Sequence, residues 1–278
     1  MQTLNILIAG DGKLLQLIKN SKFLKKLYST SDLDGAVHIK FNTFAELAKK
    51  CRALQIDIVL VENEKWILQG IADVLRKNFV NCIAPNALMA ERLIDSLISR
   101  QFLLKYNINI PQKLTYPNKF PLLVRGKGFK YKANTLAEVL QIKEFINKKY
   151  PSEIASTTFL EDFIEGDVLN VTSFFDGKTL KTFSNDNQIL EYSKLLEKAL
   201  VRENASFIGF FNSRLIKHAN TLYNTGFGLN YAKTEFEKDF LYILYCGIYQ
   251  KLNELWYSLK TLVERMSFVF YNFFIKKG

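Results

Sequence analysis

Cysteine and histidine are scarce in this 278-residue chain, and their scarcity excludes several classes of protein. The three cysteines, Cys51, Cys82 and Cys246, are far apart and odd in number. This pattern argues against a disulfide framework and against a zinc site, and it fits a reducing compartment. The two histidines, His38 and His218, are too few to build a histidine-rich metal centre.

Long apolar runs and targeting signals are also missing. No segment reaches the roughly 18 apolar residues that a membrane span requires. The N-terminus leads directly into a strand pattern within Met1–Gly10, so no signal peptide is expected. The sequence contains no internal repeat, no Pro/Gly/Ser linker and no low-complexity tract. We therefore expect a cytoplasmic protein.

What is present is the composition of an ordinary globular protein with a basic surface. Hydrophobic residues make up 48% of the chain and charged residues 23%. The length suits two domains, or one large domain. The net charge of +11 suits acidic partners such as phosphorylated ligands, nucleic acid or a membrane surface. Because the lysines are scattered, we prefer a solvated basic surface without a dedicated nucleic-acid site.

The first 84 residues alternate between strand and helix patterns. Apolar strand patterns occur at Leu4–Ala9, Val37–Phe41, Asp57–Val61 and Asn81–Ala84. Helical periodicity covers Lys13–Leu27, Phe44–Leu54 and Ile67–Asn78. Strands and helices alternating at this spacing predict a small parallel sheet covered on both faces. We predict one α/β domain over residues 1–84.

The pattern changes in residues 85–232. A long amphipathic helix is predicted over Asn86–Tyr106, and further helices over Leu136–Lys149 and Gln188–Glu203. Strand patterns occur at Phe120–Val124, Ser156–Leu160, Asn170–Phe174 and Thr179–Phe183, with a hairpin turn at Asp176-Gly177. Mixed strands and helices of this kind predict a second, α+β domain.

Residues 233–278 are predicted to form a helical tail that is rich in aromatic side chains. Its apolar end is followed by the lysines of Lys276-Lys277. The periodicity favours a helix packed on the domain. A contact with a second copy of the chain or with a protein partner is an alternative. An anchor on a membrane surface is the least favoured interpretation.

Residues 56–74 carry the most specific motif of the chain. A strand at Ile58–Val61 is followed by an acidic turn and then by a helix, so a site is expected at the carboxyl end of the strand. The segment resembles the V-V-G-P-E-x-P-L-x-x-G-I-x-D segment of phosphoribosylamine–glycine ligase, an ATP-grasp enzyme. The matching residues are Val61, Glu64, Gly70, Ile71 and Asp73, whereas Asn63 and Trp66 stand in place of the two prolines.

The turn Ala9-Gly10-Asp11-Gly12 lies between a strand and a helix, where backbone N–H groups can hold a phosphate. A tight strand–helix turn without a ligand is the alternative. The resemblance implies that Gly10, Gly12, Lys13 and Glu64 contact a substrate phosphate. Leu14 and Leu15 replace the acid and the histidine of the family in this turn.

The strand Pro121–Arg125 is similar to the P-x-V-V-K strand of the family, whose lysine contacts nucleotide phosphate. Arg125 supplies a positive charge at the same position, but its planar guanidinium differs in shape from the ammonium of lysine. The glycine-rich loop that follows in the family is shortened here to Gly126–Lys132. The two glycines and three lysines of this segment either contact phosphates or form an ordinary basic turn.

The segment Phe159–Asp167 matches the I-E-E-F-L-x-G-E hinge of the family. The resemblance implies that the acids Glu161 and Asp162 precede an adenine-binding backbone at Phe163 and Ile164. It also implies that Asp167 accepts from the ribose hydroxyls. Without the resemblance, this is a solvated acidic turn between strands.

The segment Thr221–Leu229 aligns with the family's V-x-E-F-N-x-R-F-G-D, whose Glu and Asn ligate Mg²⁺. Asn224 is present. However, Leu222 stands in place of the metal-binding glutamate, Gly226 in place of the arginine, and Leu229 in place of the aspartate. Because Mg²⁺ requires oxygen ligands, its binding is doubtful and catalysis is expected to be impaired or lost. Asp186 and Glu191 are candidates for a metal ligand supplied from elsewhere.

The expected fold is an N-terminal α/β domain with a small parallel sheet, followed by a reduced α+β ATP-grasp domain and the helical tail. One hypothesis is an enzyme that uses ATP to ligate glycine to phosphoribosylamine. The other is a non-catalytic relative that binds a nucleotide or phosphosugar, or acts as a scaffold for partners. On chemical grounds, the three replacements at 222, 226 and 229 favour the second hypothesis, because they remove groups needed for catalysis.

Overall fold

A computed structural model describes residues 3–203, 205, 207–229, 240, 241, 244 and 248. Its N-terminal part is a five-stranded parallel sheet in the order β3-β2-β1-β4-β5. The strands are β1 (Leu4–Ala9), β2 (Leu24–Ser29), β3 (Val37–His38), β4 (Ile58–Val61) and β5 (Cys82–Ile83). All four residues of β4 are buried, as its continuous apolar run predicts for the centre of a covered parallel sheet.

Four helices accompany this sheet: α1 (Leu15–Ile18), α2 (Phe44–Ala53), α3 (Glu64–Leu68) and α4 (Ile71–Lys77). The helix predicted over Lys13–Leu27 is wrong, because only its first part is helical and β2 follows. Buried parallel strands lack polar alternation, so β2 could not be told from a helix by periodicity. The helix predicted over Ile67–Asn78 is divided at Gly70, which has a φ of 84°.

The long helix predicted over Asn86–Tyr106 is also divided. It forms α5 (Ala87–Ile94) and α6 (Ser96–Lys105), with Asp95 in an extended conformation between them. The Asp95 carboxylate accepts from the backbone N–H groups of Leu97 and Ile98, which caps the start of α6.

The first antiparallel sheet has the order β6-β9-β7-β8. Its strands are β6 (Lys113–Leu114), β7 (Leu122–Gly126), β8 (Phe129–Ala133) and β9 (Phe159–Asp162), and the helices α7 (Leu136–Lys149) and α8 (Ser152–Ala155) lie between β8 and β9. This unit has a core of its own, which includes Leu122, Val124, Val139, Ile146 and Leu160.

The second antiparallel sheet has the order β11-β10-β12-β13. It consists of β10 (Asp167–Phe175), β11 (Leu180–Thr182), β12 (Gly209–His218) and β13 (Thr221–Gly228), and α9 (Asn187–Arg202) covers one of its faces. A hairpin turn at Asp176-Gly177 joins β10 to β11 as predicted.

The second antiparallel sheet shares its hydrophobic core with the N-terminal sheet. One core cluster contains Val59 together with Phe175 and Phe211. The guanidinium of Arg76 donates to the carbonyl oxygens of Cys82, Ala84 and Ile208, which ties β5 to the start of β12. Side chains from both sides of the boundary predicted after residue 84 therefore pack in one core, and that boundary stays a prediction.

Four residues of the predicted tail are described. Phe240, Leu241 and Leu244 are buried, and Ile248 packs against the same cluster, which also contains Phe174. The other residues of 233–278 lie outside the described part of the chain. Among the described residues, no helix is long and apolar enough to cross a membrane.

Candidate functional site

The two antiparallel sheets approach each other, and the region between them is called the cleft below. The segment Phe163–Gly166 joins the last strand of the first sheet directly to the first strand of the second. The sheets approach each other at Gly226, where an added Cβ would lie 3.8 Å from Nη2 of Arg125. The cleft is therefore bounded by β7, β8 and β9 on one side and by β12 and β13 on the other.

Strand register determines which side chains of the first sheet face this cleft. Arg125 on β7 pairs with Lys130 on β8 and with Phe159 on β9. Directly paired residues share a face, and residues two apart along a strand also share it. Lys132 and Glu161 therefore face the same way as Arg125. The opposite face, with Leu122, Val124 and Leu160, packs on α7.

Glu161 is a fully buried carboxylate that is held by two arginines. Nη1 of Arg125 lies 2.6 Å from one carboxylate oxygen, and Nη1 of Arg100 donates to the other. Burial lowers the pKa of the Arg100 guanidinium, and the negative charge of Glu161 opposes this effect. Nε of Arg125 is buried and has no hydrogen-bond partner in the described part of the chain.

Arg100 was not predicted as a site residue. It lies on α6, where its neighbours Ser96, Ser99 and Phe102 are buried. A charged residue among the buried positions of an amphipathic helix is the signal that would have identified it, because such a residue requires a partner. Its partner Glu161 is 61 positions away in the sequence, and no local pattern reveals that distance.

Two further cations face the cleft without an acidic partner. Within the described ranges, neither Lys130 nor Arg214 forms an ion pair. The Lys130 side chain is exposed on β8, yet partial burial of its ammonium lowers its pKa; the positive charges of Arg125 and Arg214 lower it further, and the negative charge of Glu161 opposes this. Arg100 and Arg125 thus hold Glu161, Lys130 and Arg214 lie near this group, and positive charge is in excess.

The segment predicted as an adenine-binding hinge lies at one edge of the cleft. Within the described part of the chain, the backbone groups of Phe163 and Ile164 make no hydrogen bond. Nζ of Lys132 lies 4.2 Å from the centroid of the Phe163 ring. Asp167 is exposed at the start of β10. The hinge therefore presents free backbone groups beside the cations.

The structure does not bring Asp162 to the cleft. It follows Glu161 along β9, so its side chain is on the opposite face of the sheet. There Nζ of Lys119 lies 3.0 Å from its Oδ2. The two acids that were predicted together therefore lie on different faces.

Asn224, the predicted metal ligand, is also separated from the cleft. Its side chain is buried against α9, where Nδ2 donates to the Tyr192 hydroxyl at 2.6 Å. Its Oδ1 accepts from the backbone N–H of Gly226 at 2.7 Å. Leu222 is buried in the core that contains α9. The oxygen that would bind a cation is thus already a hydrogen-bond acceptor.

The two alternative metal ligands have other surroundings. Asp186 accepts from the N-terminal N–H groups of α9, and its Oδ2 lies 3.0 Å from Nζ of Lys217. Glu191 is exposed and lines a groove beside Thr179 and Asn187. Among the residues described, no three His, Cys, Asp or Glu side chains form a group that could hold a metal. These residues do not fit a Mg²⁺ ion bound by several protein carboxylates.

The predicted phosphate turn is filled by a side chain of the protein itself. The backbone N–H groups of Gly12, Lys13 and Leu14 all donate to the carboxylate of Glu62. The backbone N–H of Gly10 donates to Oγ1 of Thr30 at 3.0 Å. Burial raises the pKa of the Glu62 carboxyl, and the three N–H donors oppose the rise.

Glu62 follows β4 directly and was not predicted as part of this turn. Glu64 lies two residues further on, in the first turn of α3, and is separate from these hydrogen bonds. Across the described ranges, no hydrogen bond or ion pair links the turn to the cluster around Glu161. The substrate-phosphate residues predicted from the resemblance thus form a group apart from the cleft.

Comparison with known proteins gives weak sequence similarity to purine biosynthetic enzymes. No protein-family model matches the chain. It is 23% identical over 187 residues to the trifunctional purine biosynthetic protein adenosine-3 of Drosophila pseudoobscura, covering 61% of this chain and 14% of that protein. It is 18% identical over 227 residues to phosphoribosylamine–glycine ligase of Fusobacterium nucleatum, covering 70% of this chain and 51% of that enzyme.

The fold comparison agrees with the sequence comparison. The crystal structure of phosphoribosylamine–glycine ligase from Thermotoga maritima superposes with a TM-score of 0.69 at 12% identity. The match covers 88% of this chain and 75% of that enzyme. The mixed architecture, with one parallel and two antiparallel sheets, is therefore that of the ATP-grasp ligases. The chain spans about half the length, or less, of the curated relatives reported above.

Proposed function

We propose that this chain is an ATP-grasp protein, related to phosphoribosylamine–glycine ligase, that binds ATP in the cleft between its two antiparallel sheets. We further propose that ATP-dependent ligation of glycine to phosphoribosylamine is impaired or lost. The observation that carries the proposal is the excess of positive charge around Glu161. Arg100 and Arg125 hold this carboxylate, and Lys130 and Arg214 add positive charge nearby without forming an ion pair in the described part of the chain.

A polyphosphate is the ligand that best suits this cluster. Partial burial, followed by repulsion from Arg125 and Arg214, lowers the pKa of Lys130, and an anion bound between these groups would favour its charged form. Arginine donates two parallel hydrogen bonds to phosphate oxygens, which favours phosphate over a monovalent inorganic anion. The buried Nε of Arg125, which lacks a partner, is a further donor beside the cleft.

The hinge supports an adenine at the other end of the ligand. The free backbone groups at Phe163 and Ile164 can offer a donor and an acceptor to the edge of a base. The exposed Asp167 lies nearby in sequence, where it could accept from ribose hydroxyls. Glu161, whose oxygens are both bonded to arginines, would orient the phosphate-binding groups and would not contact the base.

The donor set near β13 supports impaired catalysis. Oδ1 of Asn224 accepts from Gly226, and leucine provides no ligand at position 222. Without a protein carboxylate to position the metal, charge on a transferring phosphoryl group would lose stabilisation worth several kcal/mol. The alternative proposal is a non-catalytic scaffold that binds a nucleotide or phosphosugar, or a protein partner through its tail.

Calorimetric titration of the purified protein with ATP, with and without Mg²⁺, tests the proposal. We expect micromolar binding, and about tenfold weaker binding by Lys130→Ala, because a charge-assisted contact to phosphate is lost. Lys148→Ala is the matched control, since it removes the same charge from an exposed position on α7. Its affinity for ATP should equal that of the wild type.

Two results would contradict the proposal. The proposed ATP site is contradicted if the wild type binds no ATP in either condition, which would favour the scaffold that binds a protein partner through its tail. The loss of catalysis fails if the purified chain forms glycinamide ribonucleotide from glycine, phosphoribosylamine and Mg²⁺-ATP at a rate typical of a ligase. Binding without turnover is the expected combination.

A further inference from the structure

A groove with a volume of about 690 Å³ lies beside the N-terminal parallel sheet, at the carboxyl ends of its strands. Thr30 follows β2, His38 ends β3, and Trp66 lies on α3 after β4, and all three line the groove. Ligands of open α/β sheets bind at this edge, and small-molecule sites typically have volumes of about 300–1,000 Å³. None of the lining residues, all of which are described, belongs to either antiparallel sheet. The groove is therefore separate from the cleft.

Three aromatic rings form the apolar part of this groove. The ring centroid of Trp66 lies 5.4 Å from that of Phe41, at an interplanar angle of 77°, and 6.4 Å from that of Phe44, at 68°. All three side chains are only partly buried where they pack against the core. Each ring therefore keeps surface open to the groove. A flat ring bound there would extend the cluster with the edge-to-face and offset contacts that aromatic groups favour.

Polar groups with unused hydrogen-bonding capacity surround the rings. The side-chain amides of Asn42 and Gln69 are exposed at the groove, and within the described residues neither makes a hydrogen bond. The indole N–H of Trp66 likewise has no acceptor in the described part of the chain. Nε2 of His38 lies 3.2 Å from the carbonyl oxygen of Thr30, so Nε2 carries the hydrogen and Nδ1 is left as an acceptor. Donors and acceptors beside aromatic rings suit a heteroaromatic ligand better than a hydrocarbon.

The charge of the lining determines the sign of the ligand. Aromatic rings alone would suit a cation. However, Lys40 lines the groove and forms no ion pair among the described residues, and the ten lining residues include no Asp or Glu. Glu46, which accepts from the backbone N–H of Asn42, is itself paired with Lys50 at 2.7 Å. The ammonium of Lys40 would therefore repel a cation from the groove and attract an anion.

We propose that this aromatic groove is a second small-molecule site, which binds a planar heteroaromatic ligand carrying a negative charge. The ring of the ligand packs against Trp66 and Phe41, and its heteroatoms bond to the amides of Asn42 and Gln69. Its anionic group accepts from Nζ of Lys40. The inference does not depend on the proposed function, because the groove and the cleft share no residue.

The test uses three probes that share an indole ring and differ in charge. At neutral pH, indole-3-acetate is anionic, indole-3-acetamide is neutral and tryptamine is cationic. In calorimetric titrations of the full chain we expect indole-3-acetate to bind with a Kd below about 1 mM. The amide should bind up to about fivefold more weakly, the value of an exposed ion pair, and tryptamine should show no saturable binding. Cyclohexylacetate, an anion without an aromatic ring, should bind about tenfold more weakly than indole-3-acetate.

Two variants separate the contribution of the charge from that of the rings. Lys40→Ala should abolish the preference for indole-3-acetate over indole-3-acetamide and leave the affinity for the amide unchanged. Trp66→Ala should weaken the binding of both indole probes by about tenfold. Lys25→Ala is the matched control, since it removes the same charge from an exposed position near the start of β2, at the opposite edge of the sheet. Saturating ATP should leave the affinity for indole-3-acetate unchanged.

Each contrary result overturns the proposal in a recognisable way. Absence of saturable binding of indole-3-acetate excludes the site, and tightest binding of tryptamine would identify a cation site. A preference for the anion that persists in Lys40→Ala excludes the assigned role of that lysine. Displacement of indole-3-acetate by ATP would show that the groove is not a second site. If Trp66→Ala does not fold, the charge series in wild type and Lys40→Ala still decides the question. Failure of ATP to bind in the cleft would leave this inference intact.

Discussion

Glu203 joins three elements through one carboxylate. It follows α9, and it accepts from Lys105 and Tyr106 at the end of α6 and from Arg92 on α5. Hydrogen bonds from Lys105 and Tyr106 lower its pKa from the usual 4.5 to about 2. The side chain is 15% exposed, so solvent screens the interaction only in part.

Glu203→Gln should lower the free energy of unfolding at neutral pH by about 1 kcal/mol, since the charged acceptor is lost. A carboxyl with a depressed pKa stabilises the fold above its unfolded pKa. That contribution declines as the pH falls from about 4.5 towards 2. Chemical denaturation across this range should show the difference between variant and wild type shrinking to zero. A difference that persists at the lowest pH would show that the effect is not electrostatic.

The turn filled by Glu62 gives a second prediction at this scale. Glu62→Ala leaves the N–H groups of Gly12, Lys13 and Leu14 without their acceptor, and the last of these hydrogen bonds is buried. We expect a loss of about 2 kcal/mol in the free energy of unfolding. Glu64→Ala is the control and should change stability by less than about 0.5 kcal/mol. Equal losses in both variants would contradict this account.

Sequence reasoning pointed to some of the residues that the structure places at the cleft and missed others for definable reasons, while their binding roles stay predictions. Arg125, Lys130 and the hinge at Phe163 lie within contiguous motifs, so they could be predicted. Arg214 and Glu62 could not, because their importance depends on which strand lies beside them. The opposite placement of Glu161 and Asp162 follows from strand alternation, which the motif match ignored.

At the scale of elements, Asp95 decides that residues 87–105 form two helices. Its carboxylate caps α6, and Nζ of Lys127 lies 3.4 Å from its Oδ2. Asp95→Ala should cost about 1 kcal/mol in the free energy of unfolding, whereas Asp95→Asn should retain most of the stability because an amide oxygen can still cap. Thermal unfolding of the two variants checks this. Equal stability of Asp95→Ala and wild type would exclude the cap as the cause of the break.

Elements were predictable where the local pattern agreed with the tertiary environment. The helix predicted over Leu136–Lys149 is found with the same limits. Its partly exposed position keeps the periodicity visible in the sequence. The strand β2 was missed because its buried half, Leu27–Ser29, shows no alternation. Breaks at Gly70 and Asp95 were missed because a continuous apolar stripe hides a change in chain direction.

At the scale of the whole molecule, Phe240 connects residues far along the chain to the N-terminal core. Its ring stacks on Phe210 with a centroid separation of 5.5 Å, in the cluster that also contains Ile6 and Leu60. Phe240→Ala should reduce the free energy of unfolding by about 3 kcal/mol. Phe79, which is 92% exposed, is the matched control, and Phe79→Ala should change stability by less than about 0.5 kcal/mol. Urea denaturation of both variants measures the difference, and equal losses would contradict the packing role.

The separate core of the first antiparallel sheet should affect how fast its backbone amide hydrogens exchange with solvent. A unit that shares few side chains with the rest can open as a cooperative block at a lower free energy than the whole molecule. Amide hydrogens on β7 and β9 should then exchange together, and earlier than those on β1 and β4. A ligand that bridges the two sheets would slow only this faster class. The number of amide hydrogens whose exchange is slowed by the ligand would thus equal the number of residues that the ligand stabilises.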